Sequence, residues 1–132
     1  MSVFADTSAL YTLMVRTEPS HDVVRGTFAK LVQGRRPMWT TSLVIDETMA
    51  LLQQRIGLSA ARDFDEHVVP MIRVRWVDEA LYRLGTERLW REDRRSLSLV
   101  DCVSFEFMNA EGLTTAFAVD RRFSDAGFRL LA

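Results

Sequence analysis

The chain has one cysteine, Cys102, so an internal disulfide and a cysteine-built zinc cage are both excluded. It has one lysine, Lys30, and the rest of its basic charge is arginine. No run approaches the ~18 apolar residues that a membrane span needs. The opening residues MSVFADTSAL lack a basic segment followed by an apolar one, so no secretory signal is read and the expected location is the cytoplasm. Three prolines and six glycines are too few for a low-complexity linker, and no internal repeat is visible. A net charge of −1 gives no molecule-wide basic field for nucleic acid.

What is present is a chain of 132 residues, 48% apolar and 27% charged, enough for a core of ordinary proportions. Short apolar runs alternate with helical patterns. Strands are read at Ser2–Ala5, Pro37–Thr40, Pro70–Val77, Ala116–Val119 and Phe128–Leu131. Helices are read from Asp6 to about Val15, from Pro19 to Gly34, from Leu43 to Ile56, from Ser59 to Val68, after Asp78, and from Ser98 to Gly112. Strands alternating with helices predict an α/β fold, residues 1–132 as one domain, with a mostly parallel sheet of about 4–5 short strands flanked by about 6–7 helices.

The segment from Ser98 to Phe123 organises the rest. Its helix carries Leu99, Val100, Cys102, Val103, Phe105, Phe107 and Met108, apolar on nearly every side, which places it inside. Asp101 lies in its first turn. A buried carboxylate must be paired, neutralised or bound to a metal. Ser98-x-x-Asp101 also has the spacing of a capping box, in which the two side chains satisfy each other's backbone N–H groups.

Three more acids stand near helix starts. Asp6 follows VFA and Asp120 follows AFAV, which would bring both out at the carboxyl edge of a parallel sheet, where open α/β folds bind ligands. Either could serve only as a helix cap. Glu47 has Leu43, Val44, Ala50 and Leu51 as its helical neighbours, which predicts a position on the apolar stripe. Four such carboxylates read as a metal site. Hard oxygens select Mg²⁺ or Mn²⁺, and one or two such ions suit phosphodiester hydrolysis. Paired arginines at Arg35-Arg36, Arg94-Arg95 and Arg121-Arg122 offer phosphate contacts, with Arg121 and Arg122 first because they adjoin Asp120. His21 and His67 sit in polar helical surroundings and carry no catalytic expectation.

With these residues in place, the chain resembles the PIN-domain family, and within it the VapC-type toxins of bacterial toxin–antitoxin pairs. The resemblance rests on VFADTSAL around Asp6, TTSLVIDETMALL around Glu47, SLSLVDCVSFEFM around Asp101 and TAFAVDRRFSDAGFRLL around Asp120. It implies a metal-dependent endoribonuclease cutting a structured RNA such as transfer or ribosomal RNA. Its catalytic and metal residues would be Asp6, Glu47, Asp101 and Asp120. It also implies a cognate protein antitoxin, a homodimer and no membrane partner. A groove on the second and fourth helices could receive an antitoxin helix. Two departures bear on the metals. Ala118 stands where family members often carry Ser, Thr or Asn, and Arg122 where many carry a further Asp, which weakens a second ion site. Thr7, Ser8 and Ser98 are candidates for supporting the acids or a phosphate.

Two other readings compete with this one. A phosphoacceptor receiver domain or a haloacid-dehalogenase-like phosphatase needs a late lysine that this chain lacks. A catalytically inactive PIN-like module that only binds a protein or RNA is the alternative to an enzyme.

Overall fold

The computed structural model describes residues 1–131. Five strands form one sheet in the order β3-β2-β1-β4-β5, and every pairing is parallel. β1 is Val3–Ala5, β2 Met38–Thr41, β3 Arg73–Arg75, β4 Thr115–Phe117 and β5 Arg129–Leu131. The connections carry α1 (Thr7–Met14), α2 (His21–Gln33), α3 (Ser42–Arg55), α4 (Leu58–Asp63), α5 (Glu79–Glu92), α6 (Leu99–Glu111) and α7 (Arg122–Asp125).

Burial explains the strand order. Central strands of a parallel sheet are covered on both faces and read as continuous apolar runs. β1 and β4 fit that rule, for Val3, Phe4, Ala5, Ala116 and Phe117 are fully buried. The edge strands differ. β3 carries Arg73 and Arg75, and β5 begins with Arg129, so arginines mark both open edges, where charge discourages pairing with another chain.

The apolar helix is where it was expected. In α6, Cys102, Val103, Phe105, Phe107 and Met108 are all buried. Phe105 meets Phe123 edge-on at 5.0 Å, and Phe107 and Phe123 each lie 6.0 Å from Phe4 of β1. Helix α5 lies against α6 so closely that Gly85 has no room for a side chain. A Cβ there would stand 2.3 Å from a Val103 methyl. Gly112 ends α6 in the left-handed conformation at φ 69°, a cap that glycine takes without strain. Charge is not absent from this interface: Arg88 of α5 pairs with Glu106 of α6 at 2.9 Å and stacks on Phe105.

Several boundaries differ from the sequence reading. The second helix starts at His21, with Ser20 at its N-cap, so Pro19 precedes the helix instead of lying in its first turn. The fourth helix is regular only to Asp63 and continues through Phe64–Val68 as a wider, π-type turn. Pro70 lies in a tight turn, Val69–Met71, so the third strand begins at Arg73 and not at Pro70. The fourth strand ends at Phe117 and not at Val119. The backbone N–H groups of Val119 and Asp120 donate to the Ser8 hydroxyl and not to a neighbouring strand.

Candidate metal centre

Parallel pairing places the ends of β1 and β4 side by side. Phe4 is in register with Ala116 and Ala5 with Phe117, and the Asp6 backbone N–H donates to the Phe117 carbonyl at 3.0 Å. Asp6 is the N-cap of α1. Its Oδ2 accepts from the Ser8 backbone N–H at 3.1 Å and from the Ser8 hydroxyl at 2.7 Å. The Ser8 oxygen in turn accepts from Val119 N–H at 3.0 Å and Asp120 N–H at 3.2 Å. One hydroxyl thus ties the first acid to the backbone that carries the last, across 112 residues of sequence.

Asp101 arrives at the same edge from α6. Its capping box is complete: Ser98 N–H donates to Asp101 Oδ2 and Asp101 N–H donates to Ser98 Oγ, each at 3.1 Å. Arg122 then joins two acids. Its Nη1 donates to Asp101 Oδ2 at 2.9 Å and to the Ser96 carbonyl at 2.8 Å. Its Nε reaches Asp120 Oδ2 at 2.8 Å, its Nη2 reaches the same oxygen at 2.6 Å, and its backbone N–H donates to Asp120 Oδ1 at 2.9 Å.

The electrostatics divide the acids. Asp6 is only 4% exposed. Burial pushes its carboxyl up to about 6, helped by the negative charge of Asp101, while the Ser8 hydrogen bonds pull the other way. Asp120 goes the opposite way. Partial burial raises it, but the hydrogen bonds and charge of Arg122 outweigh burial and hold it below the ordinary carboxylate range. The bond to Asp120 likewise makes Arg122 hold its proton more tightly.

The predicted site residues are placed as follows. The four carboxylates do not stand as one cluster: among the described residues, no three Asp, Glu, His or Cys side chains are grouped closely enough to hold an ion. Unneutralised carboxylates repel, and here Arg122 and Ser8 take up the oxygens. Glu47 is not on the inward stripe of α3. That stripe is Val44, Ile45, Thr48 and Leu52, whereas Glu47 is half-buried and enters no hydrogen bond or ion pair among the described residues. Thr7 contacts Asp6 through its backbone N–H only, and its side chain does not support the acids. Its hydroxyl lies 3.5 Å from the Val44 carbonyl and 3.4 Å from the Thr48 hydroxyl, facing α3. Ser8 and Ser98 do support acids, and Arg122 is engaged by Asp101 and Asp120 while Arg121 stays exposed.

One basic residue escaped the sequence reading. A cavity of about 340 Å³ beside Ser8 and Asp120 is also lined by Tyr11, Glu18 and Arg55. The Arg55 guanidinium lies 5.5 Å from the centre of the Tyr11 ring. Arg55 ends α3 and Tyr11 lies in α1, so only the packing of those helices brings them to the acidic edge.

By the chemistry of their donors these residues suit a divalent ion, although among the described residues no group of three or more stands close enough to hold one. They are hard carboxylate oxygens, one of them on a buried acid with no cation of its own, and a guanidinium already bridges two of them as a cation would.

A parallel α/β sheet with carboxylates drawn to its carboxyl edge places acids where open α/β folds bind ligands. The chain belongs to the PIN-domain family, whose model matches residues 3–129. It is 34% identical over 128 residues to the 23S rRNA-specific endonuclease VapC20 of Mycobacterium tuberculosis, an alignment that covers 96% of this chain and 95% of that one. The crystal structure of that VapC20, described as a sarcin-ricin loop cleaving toxin, superposes with a TM-score of 0.84 at 33% identity, covering 96% of this chain and 95% of the other. FitAcB from Neisseria gonorrhoeae shares the fold, with a TM-score of 0.70 at 13% identity over 100% of this chain and 97% of that one.

Proposed function

We propose that this chain is a divalent-metal-dependent endoribonuclease that cuts structured ribosomal RNA, and that it is the toxin of a toxin–antitoxin pair. The observation that carries the reading is the convergence of Asp6, Asp101 and Asp120 on one sheet edge through Ser8 and Arg122. Two facts support it: membership of the PIN-domain family, and 34% identity along nearly the whole chain to an endonuclease specific for 23S rRNA.

Asp6, Asp101 and Asp120 are the acids that meet at this edge, with Asp6 and Asp101 the residues that would hold Mg²⁺ or Mn²⁺. When bound, such an ion supplies Lewis acidity and offsets charge as water attacks the phosphodiester. Everything else falls to the protein. Ser8 fixes the Asp6 carboxylate by donating twice to one of its oxygens, leaving Oδ1 without a side-chain partner. Ser98 does the same for Asp101, aiming its carboxylate from the first turn of α6. Arg121, exposed beside Asp120, and Arg55, in the adjoining cavity, would attract RNA phosphates. A protein antitoxin and a second copy of the chain are the remaining partners in this reading. No helix among the described residues is long and apolar enough to cross a membrane.

The experiment is to express the chain in cells and map the 5′ ends of cleaved RNAs, beside Asp6→Asn. New 5′ ends in a ribosomal RNA loop, absent with the variant, are the expected result. Equal patterns from both would refute the enzyme and favour a module that only binds.

A further inference from the structure

Hydrogen-bond accounting at the sheet edge separates the acids into two kinds. The Asp120 carboxylate accepts three contacts from a single residue: Arg122 N–H on Oδ1, and Arg122 Nε and Nη2 on Oδ2. Asp101 gives Oδ2 to Ser98 and Arg122, and its Oδ1 accepts nothing. Asp6 gives Oδ2 to Ser8, and apart from a weak backbone contact from Thr7 its carboxylate takes nothing else. The oxygens that no side chain holds therefore belong to Asp6 and Asp101, whereas Asp120 is committed to Arg122.

The Arg122 side chain is equally committed. A guanidinium has five N–H donors in a fixed fork. Four are used, on Asp120 twice, on Asp101 and on the Ser96 carbonyl. A second metal ion between Asp101 and Asp120 would have to break the three that reach those acids. The charges agree with this. Three carboxylates and one guanidinium leave two negative charges, which one divalent ion cancels.

Resting on the metal-site reading above, we propose that Arg122 is a built-in cation that takes the place of a second metal, so that this chain binds one divalent ion, through Asp6 and Asp101, and uses Asp120 to anchor the arginine. Arg122 is a positioning residue here. It holds Asp101 and Asp120 at the separation they have, and it blocks the bridging position between them. Position 122 is therefore a determinant of metal number.

The test is the stoichiometry of Mn²⁺ bound to the full chain in solution, by calorimetry and by electron paramagnetic resonance of free Mn²⁺, with no RNA present. The wild type is expected to bind one ion. Arg122→Ala and Arg122→Gln are expected to bind two, because both free the Asp101–Asp120 position. Arg122→Lys, which keeps the charge, should stay at one. Using two neutral variants guards against one that fails to fold, and circular dichroism identifies it. A wild type that binds two ions, or folded Ala and Gln variants that both stay at one, would overturn the proposal. Asp6→Asn separates the two levels of the argument. If it removes an ion while the wild type binds two, the metal centre stands and the role of Arg122 falls. If neither wild type nor Asp6→Asn binds Mn²⁺, the metal centre itself falls, and this inference with it.

Discussion

Replacing Asp6 by Asn should make the metal-free protein more stable at neutral pH. The reasoning starts from a carboxyl that is 4% exposed and pushed up to about 6 by burial. In the unfolded chain the same group titrates near its ordinary value of 3.8. Between those values the folded protein holds a proton that the unfolded chain has released. Stability therefore falls as pH rises through about 4 to 6, and the whole penalty is present above that window. A shift of this size corresponds to about 2–3 kcal/mol. Asn is nearly the same shape and is as good an N-cap acceptor for the Ser8 donors, so it removes the charge and keeps the cap. At ~2.1 cal/mol/K of unfolding entropy per residue, the gain amounts to roughly 7–10 °C in Tm for a chain of 132 residues. The assay is thermal unfolding in EDTA at pH 4 and pH 8, followed by circular dichroism. The variant should melt higher than wild type at pH 8 and close to it at pH 4. Adding Mn²⁺ at pH 8 should raise the wild type alone, because ligand binding to the native state adds stability. A variant that melts lower at pH 8, or gains equally at both pH values, would refute the account of Asp6 as a strained, uncompensated charge.

Other outcomes follow from the same geometry. Gly85→Ala puts a methyl 2.3 Å from Val103 Cγ2 and should cost about 1–3 kcal/mol in urea unfolding, part of it recovered by adding Val103→Ala. Ser8→Ala strips the acceptor from the Val119 and Asp120 N–H groups and a donor from Asp6. It should cost about 1–3 kcal/mol and lower RNA cleavage well beyond what the lost stability explains. Arg55→Ala together with Arg121→Ala should weaken RNA binding and reduce the slope of log K against log salt by about 1 per lost phosphate contact, while an unchanged slope would remove both from the interface.

The alternation of strands and helices was legible because buried parallel strands are short, continuous apolar runs. VFA and TAF are such runs, bounded by polar residues. The apolar helix was legible for the same reason, and its capping box announced where it starts. The ends of elements were less so. Phe117 closes β4 because Ser8, more than a hundred residues away, captures the next backbone donors, and no local pattern encodes that. The acids follow the same division. Asp6 and Asp101 were readable from their places after a strand and inside an apolar helix. Glu47 was misplaced because Leu43, Ala50 and Leu51 suggest a stripe, while packing against α1 selects Val44, Ile45, Thr48 and Leu52. Arg122 was read as a surface contact for RNA. Its commitment to Asp101 and Asp120 depends on α6 and the segment after β4 meeting in space, which spacing alone does not reveal.

The central claim is that carboxylates at the carboxyl edge of this sheet cut RNA with the help of a divalent ion. Incubating the purified chain with deproteinised 23S ribosomal RNA, in Mn²⁺ or in EDTA, and beside Asp101→Asn, tests it most directly. Discrete cleavage in Mn²⁺ that disappears in EDTA and in the variant is the predicted result. Cleavage that persists in EDTA, or that survives in a folded Asp101→Asn protein, would contradict it.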